Sequence, residues 1–543
     1  MQIIVPMSGI GKRFIDKGYK VPKYLIEVDG KPILEHIVAL FPGEENFIFI
    51  CNTEDSTNQN LLNLLERIAP KCQLYKIPKH KKGPVFAVQQ IFDLIDDADE
   101  TIVNYCDFGT FWDYKSFLSH TRKRSADGAV VAYKGFHPHM LKNPNYAFIK
   151  ESEQWLINIQ EKKPFTENKM NEYASNGTYY FSSGRMMKHF FDLLIKKDIK
   201  INDEYYVSMA YKLMAEEGYK VSIFEIEHML QWGAPEDLED YIRWSEIFSK
   251  ICKKKSKKEY LNCVKLIPAA GEGKRFQDEN FEKPKILTDV SGFPMIYQAS
   301  ACLPECKENY LAIRREIFEN IDLDLFQNEY FSKFNIVDVG DLTEGQASTC
   351  EIALKGVDKN KECLVASSDN IVLFDSLKLQ SLVQDKSIDS IVFTSVPNNK
   401  ALTNPEMFGW VNSDNSNRVL DVAVKKPFKD KTGSVIIGIF YFRSVGLFFK
   451  ALKGLKENKI KVNNEYYIDS MCEYLVRQNM NVYDFKIDHH ISLGTPDEYR
   501  TFLYWQSYFH KAIDHEYLIK KDIYYNKDEI GKFVNSKWEQ KHS

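Results

Sequence analysis

Two stretches decide the fold: Ile3-Ile4-Val5-Pro6-Met7-Ser8-Gly9-Ile10-Gly11-Lys12-Arg13-Phe14 near the start, and Val264-Lys265-Leu266-Ile267-Pro268-Ala269-Ala270-Gly271-Glu272-Gly273-Lys274-Arg275-Phe276 past the midpoint. Each is an apolar run, then a glycine loop, then basic residues, and each is followed by a Pro-Lys pair, Pro22-Lys23 and Pro284-Lys285. The apolar runs read as buried strands. Glycines after a strand let backbone N–H groups approach a ligand closely, and Arg and Lys supply countercharge, so both stretches are suited to phosphate.

The likeness extends beyond the loops. Gly9 and Gly271 stand 262 residues apart, as do Asp107 and Asp369, which end the runs Tyr105-Cys106-Asp107 and Ser367-Ser368-Asp369. Lys162-Lys163-Pro164-Phe165 recurs as Lys425-Lys426-Pro427-Phe428 at a spacing of 263. Asn202-Asp203-Glu204-Tyr205-Tyr206 recurs as Asn463-Asn464-Glu465-Tyr466-Tyr467, and Gly233-Ala234-Pro235 as Gly494-Thr495-Pro496, both at 261. Five anchors within two residues of one spacing identify a tandem duplication of a domain of roughly 250 residues. The expected boundaries are 1–248 for the first domain, 249–260 for a charged linker around Lys253 to Glu259, and 261–505 for the second domain. Residues 506–543 follow as an aromatic-rich helical tail, expected to pack on the second domain or another subunit.

Composition sets bounds on function. The 543 residues are 44% apolar, enough for two cores, and a formal net charge of -4 with one basic block argues against a nucleic-acid partner. No apolar stretch has the length of a membrane span, and Met1 leads directly into the first strand, so a cytoplasmic protein is expected. The ten cysteines show no CxxC pairs and read as reduced thiols. Within each copy strand-like runs (Phe47 to Ile50, Thr101 to Tyr105) alternate with helix-like ones (Leu61 to Ile68, Val85 to Ile95), which predicts an α/β domain with a mixed, mostly parallel central sheet. Ligands of such sheets sit beyond the carboxyl ends of the strands, where the glycine loop and Asp107 both fall.

The first copy resembles the sugar-phosphate nucleotidyltransferases, the pyrophosphorylase-type enzymes with a GT-A-like, Rossmann-related fold. The residues that carry the resemblance are Gly9-Ile10-Gly11-Lys12-Arg13-Phe14, Pro22-Lys23, Gly30-Lys31-Pro32, Gly83-Pro84 and Asp107. They continue with Tyr146-Ala147, Glu161-Lys162-Lys163-Pro164, Asn176-Gly177 and Gly233-Ala234-Pro235-Glu236-Asp237-Leu238. The resemblance implies attack of an acceptor phosphate oxygen on the α-phosphorus of a nucleoside triphosphate, with pyrophosphate leaving. Two anions must meet in line, so such a site supplies cations and geometry. On this reading Arg13 and Lys23 are catalytic, and Ser8, Gly9, Gly11, Lys12 and Gly83 bind the nucleotide. Glu161, Lys162, Lys163, Asn176 and Gly177 would bind the acceptor, and Asp107 would hold Mg²⁺ or Mn²⁺. In the second copy Arg275 and Lys285 would be catalytic, and Gly271, Gly273, Lys274, Gly345 and Gln346 would bind nucleotide. Lys425 would meet the acceptor there, and Asp369 the metal.

The sequence also departs from the family pattern. A second metal aspartate, two residues before the terminal glycine motif in many members, is Gln231 in the first copy and Ser492 in the second. The second copy has Phe293 for the lysine of Gly30-Lys31-Pro32 and Val424 for Glu161. It is therefore either an enzyme with another acceptor or a degenerate partner. The expected partners are a nucleoside triphosphate, with a weak preference for CTP, and a small phosphorylated sugar or polyol on the way to surface polysaccharide. Family habit also implies a homo-oligomer. Two other readings stay open: a glycosyltransferase using nucleotide-sugars, although Asp107-Phe108-Gly109 and Asp369-Asn370-Ile371 lack a DxD, and a nucleotide-binding scaffold or sensor without turnover.

Overall fold

The computed structural model describes residues 1–253, 260–319, 321–429 and 432–525. The charged run expected as a linker lies, from 254 to 259, outside the described residues, as does the tail beyond 525. The chain divides into two units, the first comprising Met1–Phe248 with Tyr504–His515 and the second Ser249–Leu503 with the residues from Glu516 onward.

The first unit is built on a nine-stranded sheet. Gln73–Ile77, Phe47–Asn52, Gln2–Pro6 and Thr101–Asn104 form its parallel part, with Ile4 opposite Ile48 and Val103. Phe47–Asn52 is buried at every position, which explains why it reads as a continuous apolar run. Tyr173–Phe181 enters antiparallel beside Thr101–Asn104 and joins the pair Gly128–Tyr133 and Val221–Glu225, themselves parallel. Trp155–Glu161 and Ala147–Ser152 complete the sheet as an antiparallel ribbon. The helices that cover it carry sequence-legible starts: Asn58 accepts from the backbone N–H groups of Asn60 and Leu61, and Asp113 from that of Ser116.

The second unit repeats the plan. Phe334–Asp338, Glu305–Ile313, Tyr260–Pro268 and Cys363–Val365 run parallel, with Leu266 opposite Tyr310 and Val365. Ser434–Phe442 is the antiparallel insertion, followed by Ser390–Ser395 and Val482–Lys486, and the ribbon of Gly409–Ser413 and Val419–Val424 attaches to Ser434–Phe442. The caps recur too, with Asp375 and Ser444 matching Asp113 and Ser183.

The tail differs from expectation. The helix Pro496–Lys511 starts within the second copy and runs on, and its residues from Tyr504 belong to the first unit. Tyr504 donates to the carbonyl of Met229 at 2.8 Å, Trp505 and Phe509 pack on Tyr241, and Lys511, 1% exposed, pairs with Glu227. The physical reason is the aromatic spacing: Tyr504, Trp505, Tyr508 and Phe509 make one helical face, and the first unit offers it an aromatic surface. Only a 3-10 turn at Ile519–Lys521 follows among the described residues. All ten cysteines are free, and among the described residues no helix is long and apolar enough to cross a membrane.

Candidate active site

In the first unit the strand Gln2–Pro6 delivers the chain into the glycine loop, and Gly11 takes a left-handed conformation (φ 65°) as it enters the short helix Lys12–Asp16. Gly273 does the same in the second unit, where a Cβ would also stand 2.9 Å from that of Lys285. The loop thus brings backbone N–H groups alongside a lysine from the Pro-Lys segment. A cavity of about 550 Å³ opens here, lined by Ser8 through Lys12, Lys23, Gly83 and Asp107 among others. Arg13 is exposed, and Lys12 is occupied by an ion pair to Asp16 (2.9 Å) one turn on.

Lys23 Nζ lies 2.8 Å from Asp107 Oδ2 at the end of strand Thr101–Asn104, and Lys285 pairs with Asp369 in the same way. Burial alone would push the Lys23 ammonium down, but the Asp107 carboxylate beside it outweighs that and holds its pKa above the ordinary value. Burial likewise would raise Asp369, yet Lys285 and the Ser367 hydroxyl hold it below the ordinary carboxylate value. Each pair is therefore a charged couple available for exchange with a phosphate and a cation.

The position of the missing carboxylate is adjacent. His228–Gln231 pairs antiparallel with Phe108–Phe111, and a Cβ on Gly233 would stand 2.7 Å from Asp107 Oδ2 and 3.4 Å from Gln231 Oε1. In the second unit the atoms nearest a Cβ on Gly494 would be Asp369 Oδ2 (3.4 Å), with Glu498 Oε2 and Ser492 Oγ both at 3.5 Å, and Glu498 is itself paired with Lys400. Among the described residues no group of three or more His, Cys, Asp or Glu side chains is arranged to hold a metal. One carboxylate with an amide or hydroxyl oxygen is nonetheless a hard-oxygen set, and it fits Mg²⁺ or Mn²⁺ whose remaining ligands are phosphates and waters.

Among the residues expected to meet the acceptor, Glu161 accepts a hydrogen bond from Ser208 Oγ (2.6 Å), and burial pushes its carboxyl up to about 7. Lys162 Nζ donates to Tyr206 Oη at 2.7 Å, whereas Lys163 is exposed, so the structure separates two lysines the sequence left equivalent. Asn176 is 3% exposed and its Nδ2 has no partner, while Gly177 passes 3.1 to 3.2 Å (from an added Cβ) below the rings of Phe108 and Tyr105. Lys425 donates to the Met407 carbonyl, and burial pushes its ammonium down.

The element Asn202 to Tyr206 is a tight turn. Asn202 and Asp203 both have positive φ, as do Asn463 and Asn464, and Tyr206 offers no capping side chain to the helix it precedes. Asn and Asp suit that turn because their side chains tolerate the left-handed region. Its arm pairs with the segment of Gly83: Tyr205 N–H donates to Lys82 and Val85 N–H to Tyr205, and Tyr466 repeats this with Glu344 and Ala347. Gly345 and Gln346 thus share the first unit's backbone arrangement, although they do not line the second cavity of about 670 Å³, which Gly271, Gly273 and Lys285 do. Sequence reading missed His80, which bonds Ser8 Oγ at 3.1 Å, and Arg314, which donates to the Ala270 carbonyl at 2.8 Å; a lone residue on a loop or strand end gives no pattern to find.

Comparison with known proteins agrees with the duplication. The bifunctional protein GlmU of Buchnera aphidicola (subsp. Baizongia pistaciae) is 23% identical over 254 residues, 46% of this chain, and the chain spans about half (53%) of its length. A nucleoside-diphosphate-sugar pyrophosphorylase from Vibrio cholerae RC9 matches 45% of the chain over 100% of its own, at 19% identity and a TM-score of 0.37. An inositol-1-phosphate CTP transferase from T. maritima matches 45% of the chain over 96% of its own, at 16% identity and a TM-score of 0.35. The nucleotidyl transferase family model matches twice, over residues 3–228 and 264–506, and the chain belongs to the nucleotidyl transferase family in tandem duplicate.

Proposed function

We propose that the first unit transfers a nucleotidyl group from a nucleoside triphosphate to a phosphorylated sugar or polyol, releasing pyrophosphate. The observation that carries this reading is the convergence of the glycine loop, Lys23 and Asp107 at one cavity, with Lys23 and Asp107 2.8 Å apart. Backbone N–H groups of Ser8 to Lys12 hold the β- and γ-phosphates, Arg13 clamps the triphosphate, and Lys23 meets the charge that develops at the α-phosphate. An acceptor phosphate oxygen attacks the α-phosphorus and the bond to the bridging oxygen breaks, with the electron pair leaving on pyrophosphate. Lys162 holds the acceptor phosphate, and Glu161 and Asn176 take its hydroxyls. Asp107 and Gln231 would hold Mg²⁺ or Mn²⁺, which supplies neutralisation of the phosphate charge. CTP heads the list of nucleotides to test, the product class suits a precursor of surface polysaccharide, and nucleoside triphosphate substrates suit the cytoplasm.

The test is pyrophosphate release by the purified chain with Mg²⁺, five nucleoside triphosphates crossed with sugar, polyol and amino-alcohol phosphates. Arg13→Ala should abolish release for the first unit's pair. Nucleotide binding without release from any pair would reject the reading in favour of a sensor, and release of free nucleoside diphosphate from a nucleotide-sugar would favour a glycosyltransferase.

A further inference from the structure

The second unit has not simply lost its acceptor carboxylate. In the first unit Ala147 stands opposite Glu161 across the ribbon, and in the second Gly409 stands opposite Val424. The next residue bonds back identically, Lys162 N–H to Tyr146 (2.8 Å) and Lys425 N–H to Phe408 (3.1 Å), and both lysines have positive φ. Val424 therefore occupies the place of Glu161. The partner of Glu161 is Ser208, second residue of helix Val207–Glu216, and the second residue of the matching helix Ile468–Arg477 is Asp469.

Asp469 reaches the same ribbon from the other side. A Cβ on Gly409 would stand 2.2 Å from Asp469 Oδ2, so the alanine of the first unit would force this acid out of its present position. Three positions have changed together: Ala147, Glu161 and Ser208 against Gly409, Val424 and Asp469. The carboxylate has moved from strand to helix, and the glycine makes its room. Burial raises the pKa of Asp469 to about 6, outweighing the Lys425 ammonium that favours its charged form, and among the described residues no side chain hydrogen-bonds it, in contrast to Glu161. Keeping a half-buried acid with no side-chain hydrogen bond opposes stability, which is the pattern of a site held for a ligand.

The rest of the wall has changed with it. The strand Tyr173–Phe181 has Ser175, Asn176 and Thr178 where Ser434–Phe442 has Ile436, Ile437 and Ile439. Thr178 and Ser175 are bonded to Asn104 and to the Gly177 N–H, so the partner a hydroxyl-rich acceptor loses there is the unpartnered Asn176 amide, and a site built for hydroxyls discriminates strongly against molecules that lack them, and the reverse.

Given the nucleotidyltransferase reading above, on which this rests, we infer that the second unit is a working acceptor site in which Asp469 takes the part of Glu161. Its acceptor is a compact phosphorylated molecule with one or two hydrogen-bond donor groups, hydroxyl or ammonium, on a short carbon skeleton, and not a hexose phosphate. The experiment uses full-length Arg13→Ala protein, which silences the first unit, with hexose 1-phosphates, glycerol phosphate and ethanolamine phosphate as acceptors. Glycerol or ethanolamine phosphate should give pyrophosphate and hexose phosphates should not; which of the two works distinguishes hydroxyl from ammonium. Asp469→Asn and Asp469→Ser should each raise the acceptor KM tenfold or more and leave the nucleotide KM unchanged. The triple change Gly409→Ala, Val424→Glu, Asp469→Ser should shift preference toward hexose phosphates by tenfold or more. An unchanged acceptor KM in both folded Asp469 variants overturns the assignment, as does preference of the Arg13→Ala protein for hexose phosphates. No release from the second unit while the unaltered chain still releases pyrophosphate overturns this inference alone; no release from either unit removes the parent reading as well.

Discussion

The two units share a frame and differ in a wall. Loop, lysine and strand-end aspartate superpose in role, with Lys23 and Asp107 repeated by Lys285 and Asp369, while the acceptor wall has exchanged Glu161, Asn176 and Ser208 for Val424, Ile437 and Asp469. On the proposed function, the difference teaches that duplication holds fixed the groups that would meet the phosphates common to every nucleotide. The groups that meet the variable substrate are free to move, even from one element to another. A single lost carboxylate in an aligned position is thus a poor guide to lost function when its hydrogen-bonding neighbour has changed as well.

The largest expected effects break the shared frame. Lys23→Met should lower kcat for the first unit's substrate pair by about 10²–10³-fold, the usual effect of losing one preorganised donor at a developing charge. The second unit's pair should be untouched, and Lys285→Met should give the converse in the same assay. Trp505→Ala should destabilise the first unit by about 3–4 kcal/mol, as for other buried aromatics, since Trp505 is 5% exposed and packs on Tyr241. Because that residue closes the second copy in sequence yet belongs to the first unit, selective loss of the first unit's nucleotide binding on urea titration is the informative readout.

Smaller effects sharpen the comparison of the walls. Glu161 has a folded-state pKa raised to about 7, so its contribution to stability is full below the ordinary carboxylate value and is lost as pH rises through about 7. Glu161→Gln should therefore stabilise the first unit by about 1–2 kcal/mol at pH 8 and change little at pH 4, as chemical denaturation at the two pH values would reveal. The same ionisation should lower the acceptor KM of the first unit as pH rises through about 7, and of the second through about 6. The smallest difference concerns the loops: Gly11→Ala meets only the cost of its left-handed backbone, about 1 kcal/mol, while Gly273→Ala adds a contact at 2.9 Å with Lys285 and should cost more. Thermal melts of the two variants would rank them.

Much of this was legible in the sequence. The strands Ile3 to Val5, Phe47 to Ile50 and Thr101 to Tyr105 announced themselves because parallel strands covered on both faces are largely apolar. The repeat exposed the duplicated frame because motifs that meet phosphate keep their spacing. The role of Asn202 to Tyr206 was hidden, since its partner, the segment of Gly83, lies over a hundred residues away. Asp469 was hidden for a deeper reason. It becomes visible as a substitute for Glu161 only when strand and helix are seen to face one point, and no linear alignment pairs a helix residue with a strand residue.

The helix Pro496–Lys511 carries one more consequence, for the order of manufacture. On the ribosome the first unit emerges and begins to fold while its closing residues, Tyr504 to His515, have yet to be made. Until the whole of the second copy has followed, the surface that receives Tyr504, Trp505 and Phe509 stays open to water. The duplicated chain is therefore not two beads that mature in turn. Its earlier half waits for the later one, and half-length products of interrupted translation would leave the ribosome with that surface uncovered, which ties the supply of the first unit to completion of the second.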